Sequence, residues 1–293
     1  MVVRLGVSLC VVPWLLASAA AHASTPRGFD VLHYDVALVP DIAHKRVTGQ
    51  LTLRFNAEQA LRAVTLDSGA LTVTAVMQGD RALAFAQDEA KVQITLAEPL
   101  ARGDTASVTI RYHGQPPYGL EFAPERDEVY TIFSTSQWMP SVDAPDERAT
   151  LALSVTLPAG LLAAGTGRAL PVRTLPDGRI EHRWQLETPM PGYVYGFTAG
   201  RYQEATQQHG ATGLRFLSRE RSPEQLQRVF TATGAMLDFF AERAGLPYRG
   251  DYQQALVARQ SLGHGGHAMG VQVLGRGAGQ AAGGDDGPRH HVA

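Results

Sequence analysis

Between Phe29 and Tyr202 apolar residues fall on every second position in five separate stretches, and this rhythm restricts the fold more than any other feature of the 293-residue sequence. Side chains on a β-strand point alternately to its two faces, so a period of two marks a strand with one buried face. Val47, Leu51, Leu53 and Phe55 alternate with polar neighbours in KRVTGQLTLRF. The pattern returns at Val92, Ile94 and Leu96, at Val108, Ile110 and Tyr112, at Leu151, Leu153, Val155 and Leu157, and at Ile180, His182, Trp184 and Leu186. The last set is entered through Pro176-Asp177-Gly178, whose turn chemistry predicts a hairpin. Short strands separated by Pro, Gly and Asp, with no helical period between them, predict a mainly β chain built of antiparallel sheets stacked as a sandwich.

The two ends of the chain read differently. Residues 1–23 carry Arg4, the apolar run LGVSLCVVPWLLASAA and the small-x-small site Ala21-His22-Ala23, which together predict a cleaved signal peptide and a secreted or periplasmic protein. Pro13 interrupts the run, and the run is shorter than the ~20 residues of a bilayer-spanning helix, so no membrane span is expected after cleavage. Cys10, the single cysteine, lies in this segment without the small residues that precede a lipidated cysteine, so the mature chain is expected to hold no disulfide. What remains is long enough for one large or two ordinary domains. A formal net charge of -2, with lysines only at Lys45 and Lys91, provides no basic stripe and argues against a nucleic-acid partner.

After residue 205 the period changes. Ser222, Pro223 and Gln225 carry the signature of a helix start with a capping box. Leu226, Val229, Phe230, Leu237, Phe240, Ala241 and Ala244 then recur at steps of three and four, predicting one long helix with a single buried face, ended by Gly245 and Pro247. A short strand, GLRFLS, precedes it, so the region from 206 to 262 reads as the opening of a second, mixed domain.

Residues Trp138 to Arg168, WMPSVDAPDERATLALSVTLPAGLLAAGTGR, resemble the aromatic-x-Pro-x-x-Asp-x-Pro-x-x-x-Ala-Thr stretch in the N-terminal domain of aminopeptidase N-type zinc metallopeptidases, the gluzincin family that includes the leukotriene hydrolases. The matching positions are Trp138, Pro140, Asp143, Pro145, Ala149 and Thr150. FDVLHYDVALVPDIAHKRVTGQLTLRF, TPMPGYVYGFTAGRY and LDFFAERAGLPYRGDYQQALV follow the order of that family. The resemblance implies a saddle-like β-sandwich over 24–205, beside a thermolysin-like catalytic domain of which 206–262 would be the beginning. It also implies release of N-terminal residues from peptides, with zinc held by a His-Glu-x-x-His helix and a distant Glu, and a Gly-x-Met-Glu-Asn loop on the substrate amine.

Departures from that pattern decide what this chain is expected to do. No His-Glu-x-x-His occurs, and His264 and His267 are separated only by Gly265 and Gly266, so no catalytic residue, metal ligand or zinc cofactor is assigned to this chain. In GHAMG, Met269 is followed by Gly270 where the acid should stand, and Ile132 takes the place of the substrate-facing Gln, with Gln137 a displaced substitute. Peptide would be a substrate only beside a complete catalytic domain. The alternative is a non-catalytic β-sandwich module that binds peptide or protein. From Gly263 onward the chain has ten glycines and no aromatic residue, so 263–293 is expected to be a disordered tail or translation out of frame, with a frameshifted or truncated gene the preferred account. His264, His267, His290 and His291 on such a tail would lack the fixed geometry a metal needs. Asp143, Asp146 and Glu147 are expected in a structural turn, Ser134, Ser136 and Ser141 lack a nucleophile motif, and His113 and His182 fall in strand patterns.

Overall fold

In the computed structural model, which describes residues 27–257 and the backbone of His264–Gly265 and Val271–Gly275, each alternating stretch is a strand. Their apolar sets are buried, with Ile180 half-buried at its strand end. The signal-peptide reading of residues 1–23 lies outside the described residues.

An eight-stranded sheet runs in the order Arg168–Thr174, Ile180–Met190, Ala149–Leu157, Phe29–Asp41, Arg46–Ala57, Thr105–Gly114, Leu71–Gln78 and Arg81–Ala82. A three-stranded sheet (Leu61–Asp67, Lys91–Leu100, Phe85–Gln87) and a four-stranded sheet (Leu162–Gly165, Phe197–Gly200, Glu128–Thr131, Leu120–Ala123) complete the sandwich. Val36 and Leu53 of the large sheet, Val64 and Ile94 of the three-stranded sheet and Val129 and Phe197 of the four-stranded sheet belong to one buried apolar cluster. The expected hairpin joins Arg168–Thr174 to Ile180–Met190, with Gly178 at φ 82° and the Asp177 carboxylate accepting the Arg179 N–H at 3.1 Å. One pair departs from the antiparallel expectation: Phe29–Asp41 runs parallel to Ala149–Leu157, with His33 beside Thr150. Parallel neighbours need a long crossover, and here the intervening strands provide it.

Gly49 interrupts the apolar alternation of its strand for a steric reason. It pairs with Tyr112, and a Cβ at Gly49 would lie 2.3 Å from the tyrosine ring. The ring is held in place, because its hydroxyl donates to the Trp138 carbonyl at 3.1 Å.

A five-stranded sheet follows in the order Gln203–His209, Thr212–Ser218, Tyr252–Val257, Val271–Gly275 and His264–Gly265. Thr212–Ser218 and Tyr252–Val257 are parallel and connected through helices α1 (Pro223–Val229) and α2 (Thr233–Ala244). Alternation gives this sheet two faces. Leu217, Ala255 and Val257 pack on Tyr130, Ala164 and Tyr202 of the sandwich, while Leu214, Phe216 and Leu256 pack on Leu226 and Phe230 of the helical side. The Arg215 guanidinium donates to the Ala163 carbonyl at 2.7 Å, tying the sheet to the sandwich.

Two expectations change in this region. The helical stretch is present but breaks after Phe230, so Leu226 and Phe230 are buried whereas Phe240 and Ala244 are exposed. Beyond the break Leu237 still packs on the cluster of Phe216, Leu226 and Phe230, whereas Phe240 and Ala244 face outward. The tail read as structureless from 263 contributes two strands to the backbone: Val271–Gly275 lies parallel to Tyr252–Val257, with Gln253 beside Val271, and His264–Gly265 pairs with it. Ladder hydrogen bonds need only backbone groups, so a Gly-rich sequence does not prevent this pairing. Among the described residues no helix is long and apolar enough to cross a membrane.

Candidate functional site

The residues that carry the motif lie on the segment between Glu128–Thr131 and Ala149–Leu157, and each is held by a different part of the sandwich. Trp138 is fully buried, edge-on to Phe197 with ring centroids 6.1 Å apart. Pro140 is buried and Pro145 exposed. Asp143 is exposed; its carboxylate accepts the Ser136 hydroxyl at 2.6 Å, and its N–H donates to the Asp67 carboxylate at 3.0 Å. Ser141 and Asp67 exchange two backbone hydrogen bonds of 2.8 and 2.9 Å. The Ala149 carbonyl accepts the Tyr195 hydroxyl at 2.7 Å, and the Thr150 hydroxyl donates to the Leu32 carbonyl at 3.0 Å. Just before this segment, Phe133 and Ser134 both adopt φ 44°, an unusual conformation for residues with a side chain. They turn the chain from its strand into the short 3-10 helix Thr135–Gln137.

Two acids of this stretch, Asp146 and Glu147, share Arg27, while Asp143 has partners of its own. Buried Glu147 accepts the Val31 N–H at 2.8 Å and pairs with Arg27 at 2.9 Å; burial nevertheless holds its pKa above the ordinary carboxylate value. Asp146 points toward the same guanidinium at 3.6 Å. The three carboxylates therefore brace strands and loops, and no shared proton or metal position joins them. Ser136 donates to a carboxylate rather than to an imidazole, Ser134 is half-buried and Ser141 is buried.

Ile132 is partly buried against Tyr130 and Tyr202, where an apolar residue suits its surroundings. Gln137 is buried and, with Asp67, Tyr118, Ser136 and Asp143, lines a surface pocket of about 350 Å³. His113 is exposed, and His182 is buried and stacked on Trp184. Of the tail histidines, His264 is placed by its backbone, while His267, His290 and His291 lie outside the described residues. Among the described residues no group of three or more His, Cys, Asp or Glu comes together that could hold a metal ion.

Sequence reasoning passed over a buried polar cluster between sandwich and second sheet. Fully buried Glu128 accepts the Arg126 guanidinium at 3.1 Å and the Tyr202 hydroxyl at 2.9 Å, and that hydroxyl lies 2.7 Å from Thr198. Arg126 also pairs with Glu220 at 2.6 Å, and its carbonyl accepts the Arg219 side chain. Burial, then the neighbouring Glu128 charge, raises the Tyr202 pKa well above its ordinary value, so the phenol stays a donor. The signal in the sequence is an acid, Glu128, directly before the apolar pair Val129-Tyr130 and two residues after Arg126, since an acid that opens a buried strand needs a cationic partner.

Comparison with known proteins places these features in a family. Residues 31–194 match the family model described as the Peptidase M1 N-terminal domain. Over 246 residues the chain is 24% identical to an aminopeptidase N from Acetobacter pasteurianus, an overlap of 78% of this chain and 68% of that protein. Among solved structures it resembles the M1 zinc metallopeptidase from Deinococcus radiodurans, at 25% identity and a TM-score of 0.73 over 85% of this chain and 60% of that one. A mutant of the same metallopeptidase bound to a Tyr-Ser-Ala substrate aligns equally well, with a TM-score of 0.73. The chain thus spans about 60% of the length of those structures. Since the family match runs through 31–194 of 293 residues, covering the motif and the sheets that hold it, the protein belongs to the M1 peptidase family and carries its N-terminal domain.

Proposed function

We propose that this chain is the non-catalytic wall of an aminopeptidase N-like protein, a sandwich with the first strands and helices of a thermolysin-like unit, and that these 293 residues alone do not hydrolyse peptides. The observation that carries the reading is the M1 N-terminal domain match in a sequence with no His-Glu-x-x-His. Zinc does not fit the residues present: a catalytic site needs three protein ligands in fixed geometry, and the described residues bring no such group together. Incubating the purified chain with a panel of aminoacyl-coumarin amides, with and without added zinc, tests this. Release no faster than in buffer is the expected result; hydrolysis that rises with zinc and is abolished by a chelator overturns the proposal.

Export is the second part of the proposal, and it rests on the charge, apolar run and small-x-small site of residues 1–23. Fused to an alkaline phosphatase lacking its own signal, this segment is expected to deliver active phosphatase to the periplasm of a bacterial host. Phosphatase that stays inside the cell counts against it.

A further inference from the structure

Two side chains that line the pocket of about 350 Å³ beside the motif segment are more than nine-tenths buried: Ser136, 6% exposed, and Gln137, 7% exposed. The Ser136 hydroxyl is engaged by Asp143, but the Gln137 amide makes no hydrogen bond with any described residue. Glycines leave the room it occupies. A Cβ at Gly69 would clash with the amide, and one at Gly119 would lie 3.1 Å from the Gln137 Cβ. Nor is the amide sealed in like the Trp138 Nε1 or the Ser141 hydroxyl, which are fully enclosed and unpaired: its two polar atoms keep some surface, and that surface opens into the pocket. An amide held this deeply costs stability unless a group enters to bond it.

The residues around the amide select the ligand. Asp67, Glu89 and Asp143 line the pocket, and among the described residues no Lys or Arg does. Lys91 offsets part of this charge, 3.6 Å from one oxygen of Asp67, whose other oxygen accepts the Asp143 N–H. The Glu89 carboxylate and the Asp143 oxygen not bonded to Ser136 have no hydrogen-bond or ion-pair partner among the described residues. A metal ion does not suit this arrangement, because its acids do not converge on one point. Acceptors spread around a pocket suit a planar cation with several donors, and guanidinium carries five N–H groups in one plane and no acceptor. Tyr118, 53% exposed and also lining the pocket, offers a ring face on which such a cation stacks. We propose that this pocket binds a guanidinium group, with the Gln137 amide oxygen and the Glu89 and Asp143 carboxylates as its acceptors.

The proposal does not rest on the peptidase reading. Titration calorimetry of the full chain with N-acetyl-arginine amide tests it, since the acetyl cap removes the free amine that an aminopeptidase would hold. Binding is expected, and about tenfold tighter or more than that of N-acetyl-lysine amide, whose compact ammonium cannot span separated acceptors. E89Q, at an exposed position, and Q137L are each expected to weaken binding by about tenfold. Q137E, which keeps an acceptor oxygen, is expected to retain it, and E98Q, at an exposed acid outside the pocket, to leave it unchanged. Methylguanidine is the second probe: equal affinity assigns the pocket to free guanidino compounds, weaker affinity assigns it to an arginine side chain, and both support the proposal. Absence of binding at about 10 mM of either probe overturns it. Equal affinity for the arginine and lysine amides, or unaltered binding in E89Q or Q137L, overturns it as well.

Discussion

Gly49 sits where the alternation calls for a large apolar side chain, and Tyr112 fills that space from the neighbouring strand. The G49A substitution is expected to destabilise the fold by about 1–3 kcal/mol through overpacking, measured as a lower urea midpoint with an unchanged slope. His182 makes stability depend on pH. Burial, and secondarily the charge of Arg215, lowers its pKa below 6.5. The unfolded chain therefore takes up a proton that the folded chain refuses, and stability present at neutral pH is lost as pH falls through the imidazole range. His33, also lowered chiefly by burial, acts in the same sense. Glu147 has the opposite sign: with its folded pKa raised above 4.5, its contribution grows as pH falls through that window. In thermal melts between neutral pH and about 5, H182F is expected to flatten the slope; an unchanged slope would exclude His182 as its source.

At the scale of elements, legibility follows the range of the interactions. Strand positions were readable because a period of two and a turn such as Pro176-Asp177-Gly178 are local properties, and so was the start of α1. There the Ser222 hydroxyl accepts the Gln225 N–H at 3.3 Å and the Gln225 side chain accepts the Ser222 N–H at 2.9 Å. Replacing Ser222 with alanine is expected to cost about 1 kcal/mol, seen as faster exchange of the Gln225 amide. The break after Phe230 was not readable, because the spacing continues through it and only the placement of α2 reveals the change. At Asp238 the helix meets His209 of the preceding hairpin, 2.8 Å away. The motif residues were recognisable one by one, but their use as braces depends on Tyr112, Asp67 and Tyr195, which are distant in sequence. Glu128 was missed for the same reason: its partner Tyr202 is 74 residues away.

Across the whole molecule, the Glu128 cluster and Arg215 make the sandwich and the second sheet one packed body up to Val257. Removing one member of a buried ion pair leaves the other uncompensated, so E128A is expected to cost about 3–5 kcal/mol in chemical denaturation, far more than removal of the exposed pair partner Glu98. Trypsin is expected to cut first at Arg243 or Arg249, both exposed, while the nicked strand Tyr252–Val257 stays bound through its buried side chains. Mass spectrometry of the native digest tests this, and early release of everything beyond residue 205 would contradict it. The parallel pairing within the eight-stranded sheet also has a consequence for synthesis on the ribosome. Phe29–Asp41 can join Arg46–Ala57 as soon as both emerge, but its other edge has no neighbour until Ala149–Leu157 has been made. For the time needed to translate that interval, the nascent chain presents a long open strand edge, so the stage of greatest risk for misassociation falls before the middle of the protein has been synthesised.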